Sequence, residues 1–329
     1  MGRPATGRQD TGGRAASADD GDMVLIPATT FWMGSDDHYP EEAPARPVAV
    51  DAFLIDKEPV TNAAFALFVA ATGYVTFAER APDPAAYPEA DPALLKPGSA
   101  VFTPPGRPVP TTDPFAWWAY VLGADWRHPY GPASSLEGLD DHPVCHVAYE
   151  DAQAYALWAG KRLPTEAEWE CAARGGLDRA AFAWGEDLAP QGRMLANYWQ
   201  GRFPNENLEL DGFFRTSPVG SFPPNGFGLH DMIGNVWDWT QDWYAQPERA
   251  VSSPCCAPQN PRGGSEAASR DPHDPGRNFG RKVLKGGSHL CAENYCQRYR
   301  PAARYPQTVD STTSHIGFRC ARSLPAEGR

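Results

Sequence analysis

Thirty-one glycines and 34 prolines interrupt a chain of 329 residues, roughly a fifth of it against about 12% in an average protein. Proline ends helices and is kept out of central strands, and glycine collects where the backbone turns sharply. Such a chain can form only short elements joined by much irregular backbone. It still has material for a core, since 42% of it is apolar, with 11 Trp, 12 Tyr and 15 Phe. Collagen, coiled coil and disorder throughout are therefore excluded. Length alone allows one large domain or two, and no linker separates two patterned halves.

Charge sets a second bound. The 29 Lys and Arg stand against 41 Asp and Glu, a net charge of −12. That is the wrong sign for a phosphate-tracking surface, so nucleic acid is not an expected partner. No apolar run approaches the ~18 residues of a membrane span, so no membrane partner is expected either. Residues 1–22, MGRPATGRQDTGGRAASADDGD, are polar, and a disordered N-terminal tail is expected there. Gly2 and Thr6 fit a myristoylation spacing, but Pro4 and the lack of a second membrane signal argue against an anchor. With no export segment, the expected compartment is a reducing cytoplasm, where seven cysteines, an odd number, need not pair.

Order is expected from Met23 to about residue 325, as one α+β domain. MVLIPATTFWMGS and VAVDAFLIDKEPVTN read as short strands. Thr61 reads as the N-cap of a helix that presents Phe65, Phe68 and Val69 on one face and stops at Gly73. YEDAQAYALWAG aligns Tyr149, Ala152, Ala156 and Ala159 before Gly160. PTEAEWECAARGG opens with a capping box, Thr165 with Glu168, and closes at Gly175. Residues 80–140 are Pro-rich and aromatic without a period, which predicts a functional surface with little regular structure. From about 182 the chain reads as strands and loops: FAWGED, SPVGSFPPNGFGLHDMIGNVWDWTQDWY, RKVLKGGS and HIGFRCAR, with a mobile loop over 245–280.

The common nucleotide, zincin and hydrolase motifs are missing from the sequence. His142 and His146 stand four apart in HPVCH, yet Pro143 lies between them and no third ligand is apparent. The sharpest feature is KGGSHLCAENYCQRYR, residues 285–300. On a helix Cys291 and Cys296 point about 140° apart. Fully extended, their Cα atoms lie roughly 17 Å apart. Only a reversal at Glu293–Asn294 brings the sulfurs together, and Gly286 and Gly287 permit close backbone approach. Two close thiolates can form a disulfide, undergo redox exchange or bind a soft ion such as Cu(I) or zinc. Zinc wants four ligands, and no second pair has suitable spacing, Cys255 and Cys256 being adjacent. On spacing alone, structural thiols, a disulfide and a two-coordinate Cu(I) site all remain open.

GGSHLCAENYCQRYRPAAR followed by HIGFRCA resembles the catalytic end of the formylglycine-generating enzymes, the sulfatase-modifying factor family. The likeness continues in family order through FWMGS, EEAPARPVAVDAFLIDKEPVTNAAFALFVAATGY, WRHPYGP, HPVCHVAYEDAQAYALWAGKRLPTEAEWECAARGG, ANYWQG and FPPNGFGLHDMIGNVWDWT. It covers about 23–322 and implies a single irregular, loop-rich α+β domain over 23–325, related to C-type lectins. The implied activity is that of a copper-dependent oxidase. It converts a cysteine in a sulfatase Cys-x-Pro-x-Arg segment to Cα-formylglycine with O2. Cys291 and Cys296 would hold Cu(I), and the substrate thiolate would join as a third sulfur ligand.

Other roles follow from the same resemblance. Ser288 and Tyr295 match active-site hydroxyls, and Trp237 matches an aromatic on the oxygen side, with plain core packing as its other reading. Trp117, Trp118 and Trp126 would wall the peptide groove, and Thr312 and His315 would touch substrate. Two structural calcium sites are implied. One uses Asn197, Asp211 and the backbone of Tyr198 and Phe213; the other uses Asp231, Asp238 and the backbone of Gly234 and Val236. The implied partner is an unfolded or nascent sulfatase segment, met by a monomer. A non-catalytic binding module of the same fold is the alternative, although such a paralogue is expected to lack one or both cysteines. The disulfides of secreted animal members are missing: Cys320 is kept, but Ala156 stands at its partner position and Pro301 at another. Cys145, Cys171, Cys255 and Cys256 receive no role.

Overall fold

Short elements are what so much glycine and proline produces: among the described residues the longest helix has 11 residues and the longest strand 7. The computed structural model describes residues 22–246, 257–274 and 278–325. The tail expected over 1–22 lies outside the described residues except for Asp22, as do 247–256 and 275–277 of the loop expected over 245–280, the Cys255–Cys256 pair included.

The N- and C-terminal ends of the domain meet in one sheet. β1 (Met23–Ile26) and β11 (Ala321–Ser323) flank β4 (Phe53–Asp56), both antiparallel to it. β2 (Thr29–Met33) and β3 (Arg46–Val50) form a separate antiparallel pair. A four-stranded sheet carries the rest, in the order β10–β7–β8–β9. Its strands are β7 (Trp237–Trp243), β8 (Arg281–Lys285), β9 (Arg304–Thr308) and β10 (Ile316–Gly317). The register sets Trp237 beside Ile316, Asp238 beside Lys285, and Lys285 beside Arg304. One end of this sheet therefore gathers the start of β7, the end of β8 and the start of β9.

Three helices pack beneath. α1 (Asn62–Thr72) begins where the Thr61 hydroxyl accepts the Ala64 N–H and ends at Gly73, whose φ of 67° is left-handed. Phe65 sits at the heart of the core, with Phe68, Trp126, Tyr155 and Phe318 rings within 6.4 Å of it. α2 (Tyr149–Trp158) buries Ala152, Tyr155 and Ala156. α3 (Glu166–Arg174) opens with the capping box read from the sequence, Thr165 and Glu168 each satisfying the other's backbone N–H. Eight of its residues are buried, Glu166, Glu170 and Arg174 among them, which requires a partner for each charge.

Residues 80–140 hold more order than their composition suggests. β5 (Gly98–Phe102) pairs antiparallel with β6 (Trp118–Leu122). Ala100 also exchanges backbone hydrogen bonds with Thr312 and Ser314, so this pair is docked beside β10. FAWGED forms no strand; Phe182 and Gly185 close a tight turn instead. Within 257–274 a short helix, α4 (Glu266–Ser269), replaces the expected loop.

Candidate active site

The β8–β9 connection carries the two cysteines, and its ends are tied by one buried amine. Lys285 Nζ donates to Glu170 Oε2 at 2.9 Å and to the Ala302 carbonyl at 3.2 Å. Glu170 also accepts from Arg174 and from the Gly34 N–H, both at 2.7 Å. Two residues on, Gly287 has φ of 71°, and a Cβ there would stand 2.8 Å from the Arg298 backbone carbonyl. Only glycine lets the outgoing and returning chains approach this closely. The return is a reversal at 293–295: the Ala292 carbonyl accepts the N–H of Tyr295 at 3.1 Å and of Cys296 at 3.0 Å. The Asn294 side chain fixes that reversal by exchanging hydrogen bonds with the Phe203 backbone. Cys291 and Cys296 Sγ are thereby brought to 3.1 Å. Neither is in a disulfide.

The two thiols differ in setting. Cys291 is fully enclosed, and burial, then the hydrogen bond to Cys296, push its thiol well up. Cys296 reaches the cleft surface. The hydrogen bond from Cys291, with Arg298 Nη1 3.9 Å from Sγ, outweighs burial and brings Cys296 down to about 7. Cys296 is therefore the thiol that ionises first, as pH rises through about 7, while the proton on Cys291 is held more tightly. Burial pushes Tyr295 up to about 12, so its hydroxyl remains a donor. Burial brings His315 down to about 3, so its ring is neutral.

These groups face one cleft of about 420 Å³. Of the residues expected at the site, Cys291, Cys296, Ser288, Tyr295, Trp237, Trp117, Trp118 and His315 all line it. Tyr295 stacks on Phe203 at 4.5 Å, and Trp117 meets Tyr295 edge-on at 5.5 Å. The β5–β6 pair brings Trp118 to 4.8 Å from His315. Trp126 is a correction: it does not wall the cleft. Asp125 accepts the Arg127 and His128 N–H groups and tightens the turn, and Trp126 packs inward on Phe65 at 5.1 Å. Thr312 lies beside the cleft rather than among its lining residues: its carbonyl accepts the Ala100 N–H, and the neighbouring Thr313 lines the cleft. Arg298, Tyr305, Gln307 and Phe203 line it as well and were not singled out from the sequence. Arg298 alone carried a readable signal, being a cation two residues from Cys296.

A family model, the sulfatase-modifying factor enzyme 1-like domain, matches residues 9–324. The chain belongs to the sulfatase-modifying factor family. It is similar to the formylglycine-generating enzyme of Mycobacterium tuberculosis, 53% identical over 302 residues, covering 91% of this chain and 97% of that one. It is also similar to the formylglycine-generating enzyme of Bos taurus, at 46% identity, covering 93% of this chain and 76% of the other. Among solved structures, PvdO from Pseudomonas aeruginosa overlays with a TM-score of 0.61 at 25% identity, covering 94% of this chain and 97% of that one.

Two sulfurs, with no carboxylate among the described residues lining the cleft, suit a soft monovalent ion in this sulfatase-modifying factor chain. No group of three His, Cys, Asp or Glu gathers for a metal among the described residues. His142 and His146 bind separately, the first to Thr216 and the second between Ser99 and the Pro129 carbonyl. The oxygen sets differ from each other. Asp231 Oδ1 and Asp238 Oδ1, just before β7 and within it, are both buried without a hydrogen-bond partner, which is the kind of donor a hard cation takes. Asp211 instead accepts from the Tyr198, Phe213 and Gln200 N–H groups. The Gln200 amide lies across both Asp211 and the Tyr198 carbonyl, so a cation there would have to displace it.

Proposed function

We propose that this protein is a copper-dependent oxidase that converts a cysteine in a sulfatase Cys-x-Pro-x-Arg segment to Cα-formylglycine. One observation carries the reading: two free thiols 3.1 Å apart in an aromatic-walled cleft. Relatives at 46–53% identity that bear the name formylglycine-generating enzyme support it. In balance, the substrate CH2SH group and O2 take up two electrons and two protons from two external thiols, which leave as a disulfide, and give an aldehyde, hydrogen sulfide and water.

Cys291 and Cys296 would hold the ion through both sulfurs, and Cys291 would give up its thiol proton on binding it. Bound Cu(I) supplies the one-electron reactivity with O2 that no side chain here can provide. The Tyr295 hydroxyl stays protonated and available as a donor. Ser288, fully buried, accepts the Leu290 N–H and so keeps its own proton to donate. The indoles of Trp117, Trp118 and Trp237 exclude water and leave room for an extended peptide. Calcium at Asp231 and Asp238 belongs to the same reading, as an ion that binds the folded state only. All five described cysteines are free, which fits a reducing cytoplasm.

The test is a peptide containing Leu-Cys-Thr-Pro-Ser-Arg, incubated with the protein, Cu(I), a reducing thiol and air. Mass spectrometry is expected to show CH2SH replaced by CHO. Intact peptide at full copper loading would count against the reading.

A further inference from the structure

Two residues beyond Cys296 the chain places a cation whose position is fixed from three sides. Arg298 Nη1 points at Cys296 Sγ, 3.9 Å away, and Nη2 donates to Glu41 at 2.5 Å. The guanidinium stacks over the Tyr39 ring, with Cζ 3.9 Å from its centroid. Tyr39 also accepts the Gln297 N–H through its hydroxyl, and Glu42 takes the neighbouring Arg300 in a buried, two-pronged pair. The turn at 39–42 therefore clasps the segment that follows Cys296. Gly287 completes the hold, since any side chain there would strike the Arg298 backbone.

Among the described residues lining the cleft, Arg298 is the only Lys, Arg, Asp or Glu. The chemistry proposed above requires such a cation. Two thiolates and one monovalent ion leave a net charge of −1, and a third thiolate makes it −2 in a cleft walled by indoles. Buried charge of that size is unfavourable unless compensated. Glu41 binds the opposite amino group and is partly exposed, so water screens it more than the sulfurs.

We propose that Arg298 is the positioning residue that lets the incoming sulfur enter as an anion: it orients Cys296 and supplies the counter-charge for the third thiolate. This rests on the two-cysteine copper reading. Lysine keeps the charge but loses the planar stack and the fork that joins Cys296 to Glu41.

The experiment loads protein with one silver(I) per chain, a redox-inert stand-in for Cu(I). It then measures binding of the Leu-Cys-Thr-Pro-Ser-Arg peptide and of its serine analogue. Wild-type protein is expected to prefer the cysteine peptide. Arg298→Met is expected to weaken binding of that peptide by about 30-fold, the scale for removing one partner of a buried charge pair. The serine peptide should lose far less than the cysteine peptide, which also reports an intact fold. Arg298→Lys, which keeps the charge without the stack and the fork, should restore part of the preference. A cysteine-peptide affinity unchanged in Arg298→Met overturns the proposal, and so does Arg298→Lys behaving like Arg298→Met. Wild-type protein that takes up no silver at the cysteines overturns the copper reading itself, before any variant is compared.

Discussion

Lys285 Nζ lies 2.9 Å from Glu170 Oε2, and both side chains are shut off from solvent. Burial alone would raise the Glu170 carboxyl, but Lys285 and Arg174 together outweigh it and hold the group at about 2. The same amine binds Ala302, so this pair joins α3 to both ends of the cysteine loop. Removing one partner strands the other charge in the interior. Lys285→Met is expected to cost about 3–5 kcal/mol in urea unfolding. A loss below about 1 kcal/mol, the worth of an exposed pair, would show that the pair is not structural.

The same carboxyl predicts an acid limit. Its folded value lies below its ordinary 4.5, so its contribution is fully present above pH 4.5 and fades as pH falls toward about 2. Unfolding measured from pH 6 to pH 3 should show wild-type stability falling faster than that of Glu170→Gln. Parallel slopes would contradict this.

Thiol labelling should separate the two cysteines. Cys296 sits at about 7 and reaches the cleft, whereas Cys291 is enclosed and raised. Iodoacetamide on metal-free protein is expected to label Cys296 first, with a rate that climbs through pH 7 and levels above it. Peptide mapping that finds Cys291 labelled first would reverse the assignment.

Calcium is expected to stabilise the fold through the unpartnered oxygens of Asp231 and Asp238. At about 100 times its dissociation constant the gain approaches 2.7 kcal/mol. Thermal unfolding should show the gain in wild-type protein and its loss in Asp231→Asn. An Asp231→Asn variant that responds to calcium as wild type does would place the ion elsewhere.

Gly287→Ala should injure the site directly. The added Cβ meets the Arg298 carbonyl at 2.8 Å, at a φ of 71° that alanine rarely adopts. About 1–3 kcal/mol of strain is expected, together with weaker metal uptake as the two cysteines are forced apart. Unchanged melting and unchanged uptake would show that the loop is softer than its contacts imply.

Local features of this fold were legible because their causes are local. The Thr165–Glu168 box, the Thr61 cap and the reversal at Glu293–Asn294 each involve residues within a few positions of one another. The β5–β6 pair was hidden, since a loop of 15 residues separates its strands and neither alternates cleanly. Which of two buried indoles faces the cleft was hidden too. Trp117 and Trp126 look alike in sequence, and only the turn set by Asp125 sends Trp126 into the core. Arg298 was readable as a cation beside Cys296, but its orientation was hidden because Glu41, which fixes it, lies 257 residues away. The eight expected residues that do line the cleft came from resemblance and from the cysteine spacing, not from periodicity.

The central claim is that the cysteine loop folds back to give one soft monovalent ion two sulfur ligands. Its most direct measurement is an anaerobic Cu(I) titration against a competing chelator, for wild type, Cys291→Ser and Cys296→Ser. The expected result is one tightly held ion per wild-type chain and none in either variant. Equal retention by all three proteins would contradict the claim, as would no retention by the wild type.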